Sequence, residues 1–233
     1  MPNLKAAILP VTPLQQNCTL VWDEDSMKGA VVDPGGDVAR IRDAIGQVGL
    51  EVEKILLTHG HIDHAGGAAE LRESLEVEIE GPHQADRFLL DGLAESGAEY
   101  GMLGSRNVTP DRWLDEGETV SIGALGFDVY HCPGHSPGHV ALVNAEARFA
   151  LVGDVLFQGS IGRTDFPYGD HDALISAIKT KLLPLGDDIA FICGHGPPSS
   201  GRATRSCNSC PRRSAAPLGD WKPLRAMIVK YSF

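Results

Sequence analysis

The chain has 233 residues, 42% apolar and 22% charged, enough apolar residues to bury a core and too many for a disordered polymer. Its 27 glycines and 15 prolines point to many short elements joined by turns rather than to a helical bundle. The formal net charge of −11 weighs against a nucleic-acid binder, and no apolar run approaches the ~18 residues of a membrane helix.

Short strands are predicted at residues 5–10, 18–22 and 30–33. A helix follows from Asp37, because Val38, Ile41, Ile45 and Val48 recur at spacings of three and four. Asp37 is placed to cap its start and Gly49 to end it. Residues 54–57 form a short apolar strand that runs straight into Thr58 and His59. Residues 65–75 read as helix, 76–80 as strand and 84–104 as irregular helix. Further strands are predicted at 127–131, 140–144 and 148–152. Leu174, Ile178 and Leu182, with Ile175 beside them, mark a helix that Pro184 stops. Residues 189–193 make a last strand. Short strands interleaved with helices, with loops at strand ends, predict two sheets with helices outside them.

The first ten residues hold too short an apolar stretch for a signal peptide. The five cysteines, at positions 18, 132, 193, 207 and 210, are odd in number and scattered. Such usage fits a reducing compartment and predicts a cytoplasmic protein with no membrane partner.

The chemistry concentrates in Thr58-His59-Gly60-His61-Ile62-Asp63-His64-Ala65-Gly66-Gly67. Four potential ligands, His59, His61, Asp63 and His64, fall within six residues between a strand and a helix. In a turn, His59 and His61 can converge on one ion, leaving Asp63 and His64 for a second. Imidazole with carboxylate suits zinc, iron or manganese better than calcium or magnesium. Three later segments share one form, a strand followed by a ligand-type residue beside glycine: His135 in Cys132–His139, Asp154 after Gly153, and His195 between Gly194 and Gly196. Loops at strand ends are where a rigid scaffold carries its site. His131 and His139 flank the middle segment at strand ends and read as supports rather than ligands. His83 and His171 read as surface or capping residues. Cys132 and Cys193 read as buried small apolar residues rather than nucleophiles.

On His59-Gly60-His61-Ile62-Asp63-His64, His135, Asp154 and His195, in that order, the chain resembles the metallo-β-lactamase superfamily over residues 5–199. It is most similar to short, single-domain glyoxalase II-like hydrolases. Supporting segments are Asp33-Pro34-Gly35-Gly36, the Cys132–His139 segment, Gly162-Arg163-Thr164-Asp165-Phe166 and the run from Leu182 to Asp188. The resemblance implies an αββα sandwich with two divalent ions, zinc first and iron or manganese as alternatives. It implies one site of His59, His61 and His135, a second of Asp63, His64 and His195, and Asp154 as the bridge. It also implies a small-molecule thioester substrate of the S-2-hydroxyacylglutathione type. Asp63 is then the catalytic residue that orients the attacking water. A thiol leaves as thiolate without a strong acid, which fits a sequence that marks none.

Two departures bear on substrate. Only 38 residues follow His195, too few for the helical domain that supplies cations for glutathione in two-domain glyoxalase II proteins. The Gly162–Phe166 segment is also similar to one in persulfide dioxygenases of the superfamily, which use only the His, His and Asp of the first site on a single iron. That is the alternative function; a non-catalytic metal-binding module comes third, since it would require a missing ligand. The dinuclear β-lactamases commonly carry cysteine where this chain has Asp154.

Composition changes at residue 200. Residues 1–200 hold 13 basic and 30 acidic residues, hence −17, and residues 201–233 hold 7 and 1, hence +6. The hydrolase domain is therefore set at 1–200 and a basic tail at 201–233. The tail's Cys207-Asn208-Ser209-Cys210 lacks a partner pair for a zinc site. Read one nucleotide earlier, codons for residues 201–208 permit a segment similar to the E-R-x-x-N-P-F type that follows Gly-His-Gly-Pro in short glyoxalase II-like chains. The tail is accordingly expected to be non-native, the product of a frameshift near residues 199–201.

Overall fold

The structure is a computed structural model and describes residues 3–200 and the pair Ile228–Val229. In chain order the elements begin with β1 (Leu4–Val11), β2 (Gln16–Asp23), β3 (Lys28–Val32), α1 (Val38–Val48) and β4 (Glu51–Leu56). Next come α2 (Ile62–Ala65), α3 (Ala68–Leu75), β5 (Glu78–Glu80), α4 (Arg87–Leu90) and α5 (Leu93–Glu99). The second half holds β6 (Thr119–Ile122), β7 (Leu125–His131), β8 (Val140–Asn144), β9 (Phe149–Gly153), β10 (Leu156–Phe157) and β11 (Ser160–Ile161). It closes with α6 (His171–Ala177), β12 (Ala190–Cys193), β13 (Ser199–Ser200) and β14 (Ile228–Val229).

Two sheets form, ordered β14-β1-β2-β3-β4-β5 and β13-β12-β9-β8-β7-β6, with β10 and β11 as a separate hairpin. Alternate residues of the central strands feed different layers. Val21, Ala30, Val32 and Leu56 of the first sheet meet Phe127, Val140, Leu142, Phe149 and Leu151 of the second. The other face of the first sheet, with Leu20, Val31 and Ile55, packs on Val38, Ile41 and Ile45 of α1 and Leu71 of α3. The outer face of the second, with Ala141, Val143 and Ala150, packs on Leu174 and Ala177 of α6. The result is the expected αββα sandwich. Strands buried on both faces read as continuous apolar runs, which is why β8 and β9 show no polar alternation.

Parallel pairing places the site. β3 runs parallel to β4, β4 to β5, and β9 to β12. Parallel neighbours release their following loops at the same edge, so the turns after β3, β4, β5, β9 and β12 gather at the ends of the sheets.

Several local expectations change. The helix expected over 65–75 divides into α2 and α3 at Gly66 and Gly67. Asp37 does precede α1, but at φ 51° its side chain makes no cap bond. Its Oδ2 instead accepts the Thr12 amide at 3.0 Å and pairs with Arg40. Gly49 ends α1 in the left-handed conformation, as expected. The second turn of the α6 region widens over 178–182 before a tight turn that contains Pro184. β6 and the β10–β11 hairpin were not foreseen. Apart from Ile228–Val229, which pairs antiparallel with Ala6 and Ala7 of β1, the expected non-native tail lies outside the described residues. Among the described residues no helix is long and apolar enough to cross a membrane.

Candidate metal centre

His59 and His61 lie in the turn between β4 and α2, and Asp63 and His64 lie in α2 itself. His135 comes from the β7–β8 loop, Asp154 follows β9 and His195 follows β12. The His195 loop is fixed to the first sheet, because Asn17 Nδ2 donates to the carbonyls of Cys193 at 2.9 Å and Gly196 at 2.7 Å. The structure brings all seven side chains to one place.

They form two adjoining triads, each with ligand atoms close enough to share an ion: His59, His61 and His135, and Asp63, His64 and His195. His61 Nδ1 lies 3.0 Å from His59 Nε2 and 2.9 Å from His135 Nε2. In the second triad His195 Nε2 lies 3.1 Å from Asp63 Oδ2, and His64 Nε2 lies 3.9 Å from the same oxygen. Asp154 stands between the triads. Its Oδ2 is 3.5 Å from His135 Nε2 and 3.7 Å from His195 Nε2, and its Oδ1 is 3.4 Å from His64 Nε2.

Outer contacts fix the rings of His59, His61, His64 and His135. His135 Nδ1 meets the Arg163 carbonyl at 2.9 Å, His61 Nε2 the Tyr168 hydroxyl at 2.8 Å, and His59 Nδ1 the Thr58 hydroxyl at 3.0 Å. Asp33 Oδ2 faces His64 Nδ1 at 2.9 Å and accepts the Thr58 hydroxyl at 2.6 Å. His139 stacks on His59 with ring centroids 4.6 Å apart, and its Nε2 accepts the Asp154 amide at 3.0 Å. It supports the site, as its strand-end position suggested. His131 Nε2 meets the Pro137 carbonyl, and His83 Nδ1 caps a short turn by accepting the Ala85 amide. His171 is exposed at the start of α6. The supports unread in the sequence are Tyr168, two residues beyond a segment already singled out, and Asp86, which no local pattern marks.

The arrangement fits a cation. His64 Nε2 and Asp154 Oδ1 are buried and lack a hydrogen-bond partner. A polar atom without a partner is costly in such a place unless a ligand completes it. Glycine keeps the space open, because a Cβ on Gly194 would lie 2.0 Å from Asp154 Oδ1 and 2.5 Å from His64 Cε1.

Electrostatics divides the triads. Burial, reinforced by neighbouring imidazoles, holds His59 well below its ordinary pKa and pushes His61 down to about 3. Burial lowers His135 likewise. On His64 burial is outweighed by the carboxylates of Asp154, Asp63 and Asp33, and its pKa rises. For His195 the Asp63 contact and the Asp154 charge overcome burial in the same direction. Burial would raise Asp63 and Asp154, yet His64 above all draws both below the usual carboxylate range. Cys132 and Cys193 are pushed up to about 12 by burial, so neither is a thiolate nucleophile.

A pH dependence follows. The first triad is neutral and offers lone pairs directly, whereas a cation entering the second must displace protons from His64 and His195. Lowering pH from about 8 to about 6 is expected to weaken the second binding event more than the first. Zinc calorimetry in two buffers of different ionisation enthalpy checks this; proton release concentrated in the first event would refute it.

A two-sheet sandwich with a three-histidine triad and an Asp/His/His triad at its sheet ends and a carboxylate between them defines a class of metal-binding proteins. Residues 11–195 match the family model described as the metallo-beta-lactamase superfamily. The chain belongs to the metallo-β-lactamase superfamily. It is 48% identical over 190 residues to hydroxyacylglutathione hydrolase GloC of Haemophilus influenzae, covering 81% of this chain and 89% of that protein. Among solved structures, TTHA1623 in a di-iron-bound form is similar with TM-score 0.76 and 35% identity, covering 84% of this chain and 98% of that one. The BLEG-1 B3 metallo-beta-lactamase gives TM-score 0.77 and 33% identity, covering 84% and 94%. These relationships place the chain among the metal-dependent hydrolases of the superfamily.

Proposed function

We propose that the chain hydrolyses a thioester of the S-2-hydroxyacylglutathione type with two divalent ions, zinc foremost. The observation that carries the reading is Asp154, whose Oδ2 faces a ligand of each triad. His59, His61 and His135 would hold one ion, Asp63, His64 and His195 the other, and Asp154 would bridge. The likeness to GloC supports the substrate class, and the di-iron form of TTHA1623 supports occupancy by two ions.

Divalent ions bound by these residues would supply Lewis acidity and lower the pKa of bound water towards ~7. The chain's own groups set the rest. Asp63 is ionised at neutral pH, so its carboxylate can accept a hydrogen bond from the attacking water and orient it. The first triad is walled by aromatic rings: Phe166 lies 4.9 Å from His61, and Tyr168 stacks on Phe166 at 5.3 Å. Phe88 of α4 extends this wall to the exposed surface, 5.2 Å from Tyr168. Such a wall can seat the acyl thioester and exclude water. Arg163 lies over Phe166 at 4.3 Å and is forked by Asp165 at 2.7 and 2.8 Å. It can reach an anionic group of the thiol only in competition with that carboxylate. The thiolate product needs no dedicated acid.

Metal analysis with parallel assays on an acyl-glutathione thioester and glutathione persulfide tests the reading. Two ions per chain with thioester cleavage are expected. One iron per chain, oxygen uptake with the persulfide and no thioester cleavage would establish the dioxygenase instead.

A further inference from the structure

Asp86 lies in the turn after β5 and is fully buried. Parallel pairing of β4 and β5 brings that turn beside the His59–His61 turn. The carboxylate has three donors. Oδ2 accepts the Gly60 amide at 2.9 Å and the Ser136 hydroxyl at 2.7 Å, and Oδ1 accepts the Gly138 amide at 2.5 Å. Gly60 stands between His59 and His61, and Ser136 follows His135. One side chain therefore ties together the two loops that carry all three histidines of the first triad. The turn is also fixed by its backbone, since the His83 amide donates to the Gly138 carbonyl at 3.0 Å.

The approach is close. A Cβ on Gly138 would lie 2.5 Å from the Asp86 amide nitrogen and 2.8 Å from Asp86 Cβ. Gly138 therefore has no room for a side chain beside this turn. Asparagine fits by volume, but it offers one acceptor oxygen and turns an amide group towards protein donors. Only a carboxylate can accept all three donors; asparagine with its oxygen on Gly60 and Ser136 would turn its NH2 towards the Gly138 amide. Among the described residues the Asp86 carboxylate makes no hydrogen bond to Asp63, His64 or His195; His64 is held by Asp33.

We propose that Asp86 is the positioning residue of the first metal site, fixing His59 and His61 against His135 and so setting that site's affinity for its ion. The proposal rests on the two-site reading of the centre and not on the substrate.

Zinc binding by the full-length chain tests it in two backgrounds. His195→Ala leaves the first triad complete, and His61→Ala leaves the second. Asp86→Asn is expected to weaken zinc about 10–100-fold in the first background and less than about twofold in the second. The visible spectrum of cobalt in the His195→Ala background should shift with it, showing altered ligand geometry. Equal losses in both backgrounds, or none in either, would overturn the proposal. Should Asp86→Asn not fold, Ser136→Ala keeps the carboxylate and removes one bond. It should weaken zinc by about 3–10-fold, again only with the first triad, and an equal or absent effect would count against the proposal. Because no turnover is read, a protein that binds two zinc ions but cleaves no thioester would refute the proposed activity and leave this inference standing.

Discussion

Replacement of His64 by alanine is expected to lower thioester hydrolysis by about two to three orders of magnitude and to reduce bound metal from two ions per chain towards one. His64 is fully buried, and its Nε2 faces Asp154 Oδ1 at 3.4 Å with no hydrogen-bond partner. Alanine removes that nitrogen and leaves Asp63, His195 and the shared Asp154, one ligand short of the set that would keep the second ion tightly. The first triad is untouched, because His59, His61 and His135 converge through their own contacts. The variant therefore separates chemistry that needs two ions from chemistry that needs one. His59→Ala would abolish both and discriminates nothing. Metal content measured on protein shown to be folded by far-ultraviolet circular dichroism, together with both substrate assays, gives the answer. Oxygen uptake with persulfide that survives His64→Ala, in a parent protein that cleaves no thioester, would replace the hydrolase reading.

The seven side chains of the centre were legible because each sits in a local pattern. His59, His61, Asp63 and His64 are crowded into one turn, and His135, Asp154 and His195 each stand beside glycine after a strand. Strand ends released side by side by parallel pairing then bring distant patterns together. Asp86 was not legible for the opposite reason. Its three contacts span 26, 50 and 52 residues, and nothing in Gly-Pro-His-Gln-Ala-Asp-Arg distinguishes it from a solvated acid. β6 escaped because its four residues alternate exposed Thr119 and Ser121 with Val120 and Ile122, too short a run to separate from a loop. The pattern over 65–75 reads as one helix through Gly66 and Gly67, and the break there is set by tertiary approach. The Gly67 amide donates to the Pro34 carbonyl at 2.9 Å.

Two buried carboxylates outside the seven divide the support of the centre, and that division bears on stability. Asp86 serves the loops of the first triad. Asp33, in the turn after β3, faces His64 directly and reaches His59 through Thr58. The carboxylates of Asp154, Asp63 and Asp33 outweigh burial at His64 and favour its protonated form. A histidine whose folded pKa is raised contributes stability that is present below its unfolded pKa, near ~6.5. That contribution is lost as pH rises through the folded pKa.

Asp33→Ala is expected to destabilise the metal-free protein by about 3–5 kcal/mol, the usual cost of removing one partner from a buried pair. Asp33 is 3% exposed and accepts the Thr58 amide at 2.7 Å and the Thr58 hydroxyl at 2.6 Å, besides facing His64 at 2.9 Å. Alanine leaves the Thr58 amide and His64 Nδ1 without their carboxylate partner, and the Thr58 hydroxyl keeps only His59 Nδ1. It must also adopt the left-handed backbone of this position, φ 53°, at roughly 1 kcal/mol. Asparagine tolerates that conformation and keeps one acceptor, so Asp33→Asn should lose only about 1–3 kcal/mol. Urea unfolding in the presence of a chelator measures both, and a loss below about 1 kcal/mol for alanine would show that Thr58 and His64 find other partners. The same substitution frees the His64 ring. Zinc binding at the second site should then weaken about 10–100-fold, and unchanged binding there would mean that Asp63, Asp154 and His195 suffice to orient the site.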